Sequence, residues 1–235
     1  MAGLVESATA ILSSTERRLE TISSNVANVS TPGFKRQISF SDVLSSGPQG
    51  MDEAALRLRS DLGQGRLSRT ENPLDVAISG AGLFQLRAGE EIVYSRQGHF
   101  RVAEDGTVVS GQGHVLQQAG GGDLILQSSA VEITEDGTIL DAGRPVARIA
   151  LFAPADGVSL EASGGGTIFA AGSREMEEVA APALRQGMVE ASNVVLGDEM
   201  VAMMAALRQA ESGARLVQLY DDLLGRAITT FGGGK

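Results

Sequence analysis

The residues best equipped for chemistry in this chain are two histidines and a few paired acids, and their spacing does not assemble them into a site. His99 and His114 sit in alternating, strand-like runs with no Asp or Glu at metal-ligand spacing, so both read as structural or surface side chains. Glu104-Asp105 and Glu135-Asp136 are acidic enough to attract Ca²⁺. A calcium loop of the EF-hand kind needs ligands at alternating positions and a closing glutamate, and neither run supplies them. They read as solvated hairpin turns. Gly80-Ala81-Gly82 follows a strand-like run, but Leu83 to Arg87 comes next as a second such run rather than a helix whose N-terminus could hold a phosphate. That is a tight β-turn. Asn28-Val29-Ser30 has the form of a glycosylation acceptor, without a secretory signal to bring it to the machinery. The chain has no cysteine, which excludes disulfides and thiolate chemistry, and no nucleophile elbow or catalytic carboxylate pair is recognisable. The reading is of a protein that is not an enzyme and takes no cofactor, metal or small-molecule ligand.

What the sequence does carry is apolar periodicity at both ends. Leu196, Met200, Met203, Leu207, Ala210, Ala214, Val217, Leu224, Ile228 and Phe231 fall on alternating four- and three-residue steps, broken once at Asp221. Leu4, Ala8, Ile11, Leu19, Ile22, Val26 and Val29 keep similar spacing, with Thr15 at one seam position. Helix nucleation is costly and most helical stability comes from burying the apolar stripe, so each helix needs a partner surface. The methionines of the last helix suit either adaptable docking or plain packing.

Between the ends, Ser30-Thr31-Pro32-Gly33 supplies turn chemistry, and Pro32 cannot continue the first helix. Thr31-Pro32-Gly33-Phe34 reads as a type II turn with Gly33 at the position of positive φ. Residues 37–72 are polar, broken at Gly47-Pro48-Gln49-Gly50 and Gly63-Gln64-Gly65, with a hint of alternation from Ala55 to Leu62; they read as an extended connector with one or two short strands. From about Asp75 short β-like runs follow, including Asp75–Ile78, Leu83–Arg87, Asp123–Gln127 and Val146–Phe152. Asp105-Gly106 and Asp136-Gly137 lie between apolar alternations as hairpin signals. Ser192 and Asn193 are candidate caps of the last helix. The expected fold class is α+β. Residues 1–36 and 193–235 form one coiled-coil-like α domain of N- and C-terminal helices, with an all-β domain at 73–178 inserted between connectors 37–72 and 179–192.

The net charge of −10 is unevenly placed: residues 1–36 sum to +1 and residues 193–235 to −1, so the middle holds the rest. Ends that crowd against many neighbours would avoid charge in this way, because crowding copies of a charged surface is repulsive. No basic patch exists to neutralise phosphates, which argues against a nucleic-acid partner. The first twenty residues lack the basic region and continuous apolar stretch of a secretory signal, and no run approaches the roughly 18 apolar residues needed to span a bilayer, so no membrane insertion is expected.

The segment SSNVANVSTPGFKR (Ser23 to Arg36), following an amphipathic helix, resembles the signature of bacterial flagellar rod and hook proteins. The motif positions are Asn25, Asn28, Thr31, Pro32, Gly33 and Phe34. NPLDVAISGAGLFQL (Asn72 to Leu86), YSRQGHFRVAEDGTVVSGQGHVL (Tyr94 to Leu116) and GMVEASNVVLGDEMVAMMAALRQAE (Gly187 to Glu211) agree, in the family's order. The resemblance implies a structural subunit of the flagellar axis in the basal body. Such a subunit is exported without a cleaved signal by the flagellar type III apparatus, and it polymerises with copies of itself and other flagellar rod proteins into a hollow tube lined by the terminal helices. The short connector and mid-sized β domain imply a proximal-rod subunit, with a distal-rod subunit as the alternative. From a different class, the same residues suit a β-domain binding module whose helices merely dimerise.

Because unpaired amphipathic helices lack a buried face, limited proteolysis of the dilute subunit is expected to remove residues 1–30 first and to leave a resistant fragment of about residues 73–178. Protection of residues 1–30 in the dilute monomer would count against assembly through the ends.

Overall fold

In a computed structural model the chain is described over residues 2–38, 59–155, 158, 160–163, 166–170 and 175–232. The Gly47-Pro48-Gln49-Gly50 break, the start of the Ala55–Leu62 run and the side chains of Leu4, Leu224, Ile228 and Phe231 lie outside that description. Two helices frame a large β region, α1 at Ala2–Ala27 and α2 at Leu196–Gly232, so the fold is α+β. Among the described residues no helix is long and apolar enough to cross a membrane.

The β region is built by pairing along the chain and back again. Among the described residues every strand pair is antiparallel, which suits connections as short as the Gly-marked turns here. The central strands are Leu83–Ala88, Glu91–Ser95 and Ile168–Ala170, hydrogen-bonded in that order within the largest sheet. Side chains alternate between two faces along each of them: Phe84, Val93 and Ile168 join one apolar cluster, whereas Leu83, Tyr94 and Phe169 join another. Both faces are covered, which explains why the strands read as nearly continuous apolar runs rather than strict alternation. Phe84, fully buried, meets Phe100 edge-on with ring centroids 5.2 Å apart.

Both Asp-Gly sites form hairpin turns. Phe100–Val102 pairs with Val108–Ser110 and Glu132–Ile133 with Thr138–Asp141, and Gly106 and Gly137 take φ of +85° and +87°. The run from Val146 to Phe152 is not one strand. Arg144–Arg148 belongs to a three-stranded sheet and Leu151–Pro154 to the largest one, the chain changing sheet at Ile149 and Ala150. Asp123–Gln127 alternates in burial, with Leu124 and Leu126 inside and Ile125 outside. It makes only isolated bridges, because its hydrogen bonds go to Leu116, Val108 and Gly106 in turn and no single neighbour lies alongside it.

The connectors zip the two chain ends to this region. Gln37–Ile38 pairs with Arg59–Ser60, Leu67–Arg69 with Met188–Glu190, and Val76–Ile78 with Leu184–Gln186. Entry and exit therefore run side by side, and α1 and α2 emerge from the same place and pack together antiparallel. Asn25 meets Glu199 at one end of the contact, and Gly213 faces Ile11 and Leu12 further out. Ser192 and Asn193 do not cap α2, contrary to expectation. The helix begins at Leu196 on the Val195 carbonyl, the Ser192 hydroxyl accepts from the Val194 N–H, and the Asn193 side chain is used elsewhere.

Phe84→Ala is expected to cost about 3–5 kcal/mol, because a fully enclosed ring leaves a cavity its neighbours cannot refill. Ile125→Ala, at an exposed position, should stay within about 0.5 kcal/mol. Urea unfolding of the two variants checks both.

Candidate functional site

The place where entry, exit and β region meet is held by charge. Glu190, at the end of its strand, has a side chain with no exposed surface, and its carboxylate receives two cations. One oxygen accepts from Lys35 Nζ at 2.7 Å and from the Gly65 N–H at 2.6 Å; the other accepts from Arg96 Nε at 2.5 Å. Lys35 Nζ also donates to the Gly63 carbonyl at 2.7 Å. The Arg96 guanidinium makes three further bonds to the carbonyls of Ile78, Gly80 and Gly82, at the tight turn between two strands. Burial holds the Lys35 ammonium below the usual lysine range, reinforced by nearby Arg96 and opposed by Glu190.

A second layer surrounds this junction at the roots of the helices. Asn25, 1% exposed, pairs both ways with the Gln37 backbone, its Oδ1 accepting at 2.8 Å and its Nδ2 donating at 2.9 Å. Glu199, on the first turn of α2, accepts from Arg36 Nε at 2.5 Å and from Asn25 Nδ2 at 3.3 Å, and its place at a helix N-terminus favours its negative charge. Asn193 Oδ1 accepts from the Arg36 N–H, and its Nδ2 donates to the carbonyls of Asp61 and Gly63. Apart from the Asn25–Gln37 pair, 12 positions apart, these bonds join residues 130 to 174 positions apart.

The turn after α1 is shaped for this meeting. Gly33 has φ of +72°, the Phe34 N–H bonds the Thr31 carbonyl at 3.2 Å, and Thr31 Oγ1 donates to Asn28 Oδ1 at 3.1 Å. A Cβ on Gly33 would sit 2.6 Å from the Gln97 backbone, so side-chain space and backbone conformation both demand glycine. Pro32 is exposed, while Phe34 is fully buried against Gly166.

The predicted seam residues divide. On α1, Ala8 and Ile22 are buried and Ile11, Leu19 and Val26 are half-buried. On α2, Met203, Ala210 and Val217 are half-buried, in line with the buried Glu199, Ala206 and Gly213. Leu196, Met200, Leu207 and Ala214 are exposed instead. Lys35, Arg36, Arg96, Glu190 and Glu199 escaped the sequence reading, although each lies inside one of the motif segments. The available signal was that charges embedded among apolar and glycine residues must be paired if buried. His99 proves to be an exposed partner of the buried Asp75, Nδ1 to Oδ1 2.6 Å.

A chain whose two ends return to one charged junction and leave it as a helical pair, with a β region between them, has the organisation of a structural axial subunit. Family descriptions agree piece by piece: "Flagella basal body rod protein" matches residues 8–35, "Flagellar hook protein FlgE/F/G D1 domain" residues 77–141, and "Flagellar basal body rod FlgEFG protein C-terminal" residues 185–230. Similar proteins include the flagellar basal-body rod protein FlgG of Bacillus subtilis, 30% identical over 244 residues, covering 89% of this chain and 91% of that one. The rod protein FlgF of Mesorhizobium japonicum is 31% identical over 223 residues, covering 92% of each, and that of Salmonella typhimurium 32% over 228 residues, covering 87% and 88%. The chain belongs to the flagellar basal-body rod protein family. It is a structural rod subunit of the basal body, as the motif resemblance implied.

Removing Glu190 leaves two buried cations without their anion. Glu190→Ala is therefore expected to cost about 3–5 kcal/mol, read as a lowered urea midpoint, whereas Lys35→Met, which leaves Glu190 paired to Arg96 and the Gly65 N–H, should cost less.

Proposed function

We propose that this chain polymerises through its paired terminal helices, which act as a coiled-coil-like inner α domain, into the proximal part of the rod. The observation that carries the reading is the surface of α2, where Leu196, Met200, Met204 and Leu207 are each 44–55% exposed on a helix already packed on one side. A solvent-facing row of that size is a contact awaiting a partner. In this scheme residues 1–36 with 193–235 form the inner layer, residues 37–72 and 179–192 the connectors, and residues 73–178 the outer β domain. The partners are copies of the chain, other rod proteins and the flagellar type III export apparatus, which passes the chain through the growing channel. The rod shaft calls for no catalysis, cofactor or small ligand.

The proximal position is favoured by alignment length. The FlgG alignment is longer, at 244 positions, yet it covers less of this chain than the 223-position FlgF alignment from Mesorhizobium japonicum, 89% against 92%, so that FlgG carries more residues with no counterpart here. Labelling the protein in isolated basal bodies tests the position: signal beneath the distal rod supports it, and signal along the distal rod replaces it with the alternative.

Leu207→Asp is expected to abolish incorporation while leaving the subunit's melting unchanged, since an unpaired carboxylate in an intersubunit contact costs several kcal/mol but is solvated in the free chain. Arg208→Glu, exposed beside it, should matter less. If Leu207→Asp unfolds the soluble subunit instead, the helices serve a self-sufficient monomer.

A further inference from the structure

The two Asp-Gly hairpin turns are built alike, and both carry a chemical hazard. In Ala103-Glu104-Asp105-Gly106-Thr107 and Thr134-Glu135-Asp136-Gly137-Thr138 the N–H of the first residue donates to the carbonyl of the last, at 2.8 and 2.9 Å. Both aspartates are exposed. Glycine has no side chain to shield its own amide, so its nitrogen can attack the Cγ of a preceding aspartate. The N–Cγ bond forms as the carboxyl hydroxyl leaves with the amide proton as water. Water then opens the five-membered imide at the aspartate's backbone carbonyl, breaking that carbon's bond to nitrogen, and the chain now runs through Cγ as isoaspartate. One water is released and one is taken up, so the change is an isomerisation. It lengthens the turn by one backbone carbon, in hairpins whose Phe100, Val108, Ile133 and Ile139 all belong to the main apolar cluster.

Both reacting groups are withheld. The carboxyl must be neutral to react, because a carboxylate would have to expel oxide. Asp105 Oδ1 accepts from Thr107 Oγ1 at 2.6 Å and from the Thr107 N–H at 3.0 Å. Asp136 accepts from Thr138 Oγ1 at 2.9 Å, from the Thr138 N–H at 3.3 Å and from Thr134 Oγ1. These bonds favour the ionised form, in keeping with the lowered pKa of both groups, and they hold each carboxyl on the residue two positions on, not on the glycine between. The attacking amides are also engaged. The Gly106 and Gly137 N–H groups donate to the carbonyls of Ala103 and Thr134, each at 3.0 Å, while the glycine carbonyls accept from the N–H groups of Leu126 and Ile149, each at 2.8 Å. From this geometry we infer that Asp105-Gly106 and Asp136-Gly137 are latent sites of isoaspartate formation, which the threonine hydroxyls beside them keep from reacting. Thr107 alone supplies the hydroxyl at Asp105, whereas Thr134 and Thr138 share Asp136.

The test ages the full folded chain in warm neutral buffer and reads isoaspartate at each site by isoaspartyl methyltransferase labelling and peptide mapping. Both sites are expected to react far more slowly than in the same chain held unfolded in urea. Thr107→Val, close in shape but without the hydroxyl, should raise the rate at Asp105 about fivefold or more and leave Asp136 unchanged. Thr107→Ser keeps a hydroxyl and should age like the unmodified protein. Thr138→Val should have a smaller effect at Asp136, because Thr134 remains, and the double variant Thr134→Val with Thr138→Val a larger one. A Thr107→Val protein that ages at the unmodified rate, or a Thr107→Ser protein that ages like Thr107→Val, would overturn the inference, since folding alone would then protect the turn. A rise at both sites from the single Thr107 substitution marks general loosening and overturns it too, as do equal rates in the folded and unfolded chains.

Discussion

The Glu190 carboxylate is the constraint on which the rest of the architecture depends. It lies on the exit strand, receives Lys35 from the turn after α1 and Arg96 from the β region, and accepts the Gly65 N–H of the connector. A buried carboxylate is tolerable only when its lone pairs are filled, and here each filling group arrives from a different part of the chain. The geometry therefore closes only when entry, exit and β region are all in place. Arg96 transmits that requirement to the Gly80-Ala81-Gly82 turn through three backbone carbonyls, so the same contact that neutralises Glu190 also fixes how Val76–Ile78 is joined to the central strand Leu83–Ala88.

Above the junction the physics changes from charge to weak apolar packing. The α1–α2 contact buries Ala8, Thr15, Ile22, Ala206 and Gly213 and half-buries Ile11, Leu12 and Met203, while Met200, Met204 and Leu207 of α2 face outward. That division suits the assembly proposed for the chain. Its helical pair is aimed by a rigid base yet left with most of its apolar surface for neighbours.

The β region makes the opposite bargain. It covers both faces of its central strands, pairs its polar turns locally and carries most of the chain's negative charge. The Thr107 hydroxyl holds the Asp105 carboxyl, and the Thr134 and Thr138 hydroxyls the Asp136 carboxyl, below the usual range, and Arg87 and Gln117 lower Asp123 to about 2, so these turns keep their charge at any ordinary pH. Such a surface repels its like, so like copies repel one another least at the nearly neutral ends.

Local chemistry made much of this legible in the sequence. Heptad-like spacing announced two helices, Asp-Gly announced two hairpins, and Thr-Pro-Gly-Phe announced a turn with Gly33 at positive φ, because each depends on residues within a few positions of one another. Motif order carried the family. Tertiary structure alone decided the rest. Which half of the α2 seam faces α1 turned on the buried Glu199 and Gly213, neither of which an apolar count would select. Whether Val146–Phe152 was one strand or two turned on which sheet its neighbours joined. The Asn193 side chain, a plausible helix cap by position, was claimed by Arg36 from the other end of the chain. The Lys35–Glu190–Arg96 cluster was invisible for the same reason: its members are 61 to 155 positions apart in pairs that involve Lys35, and only folding brings their charges within hydrogen-bonding distance.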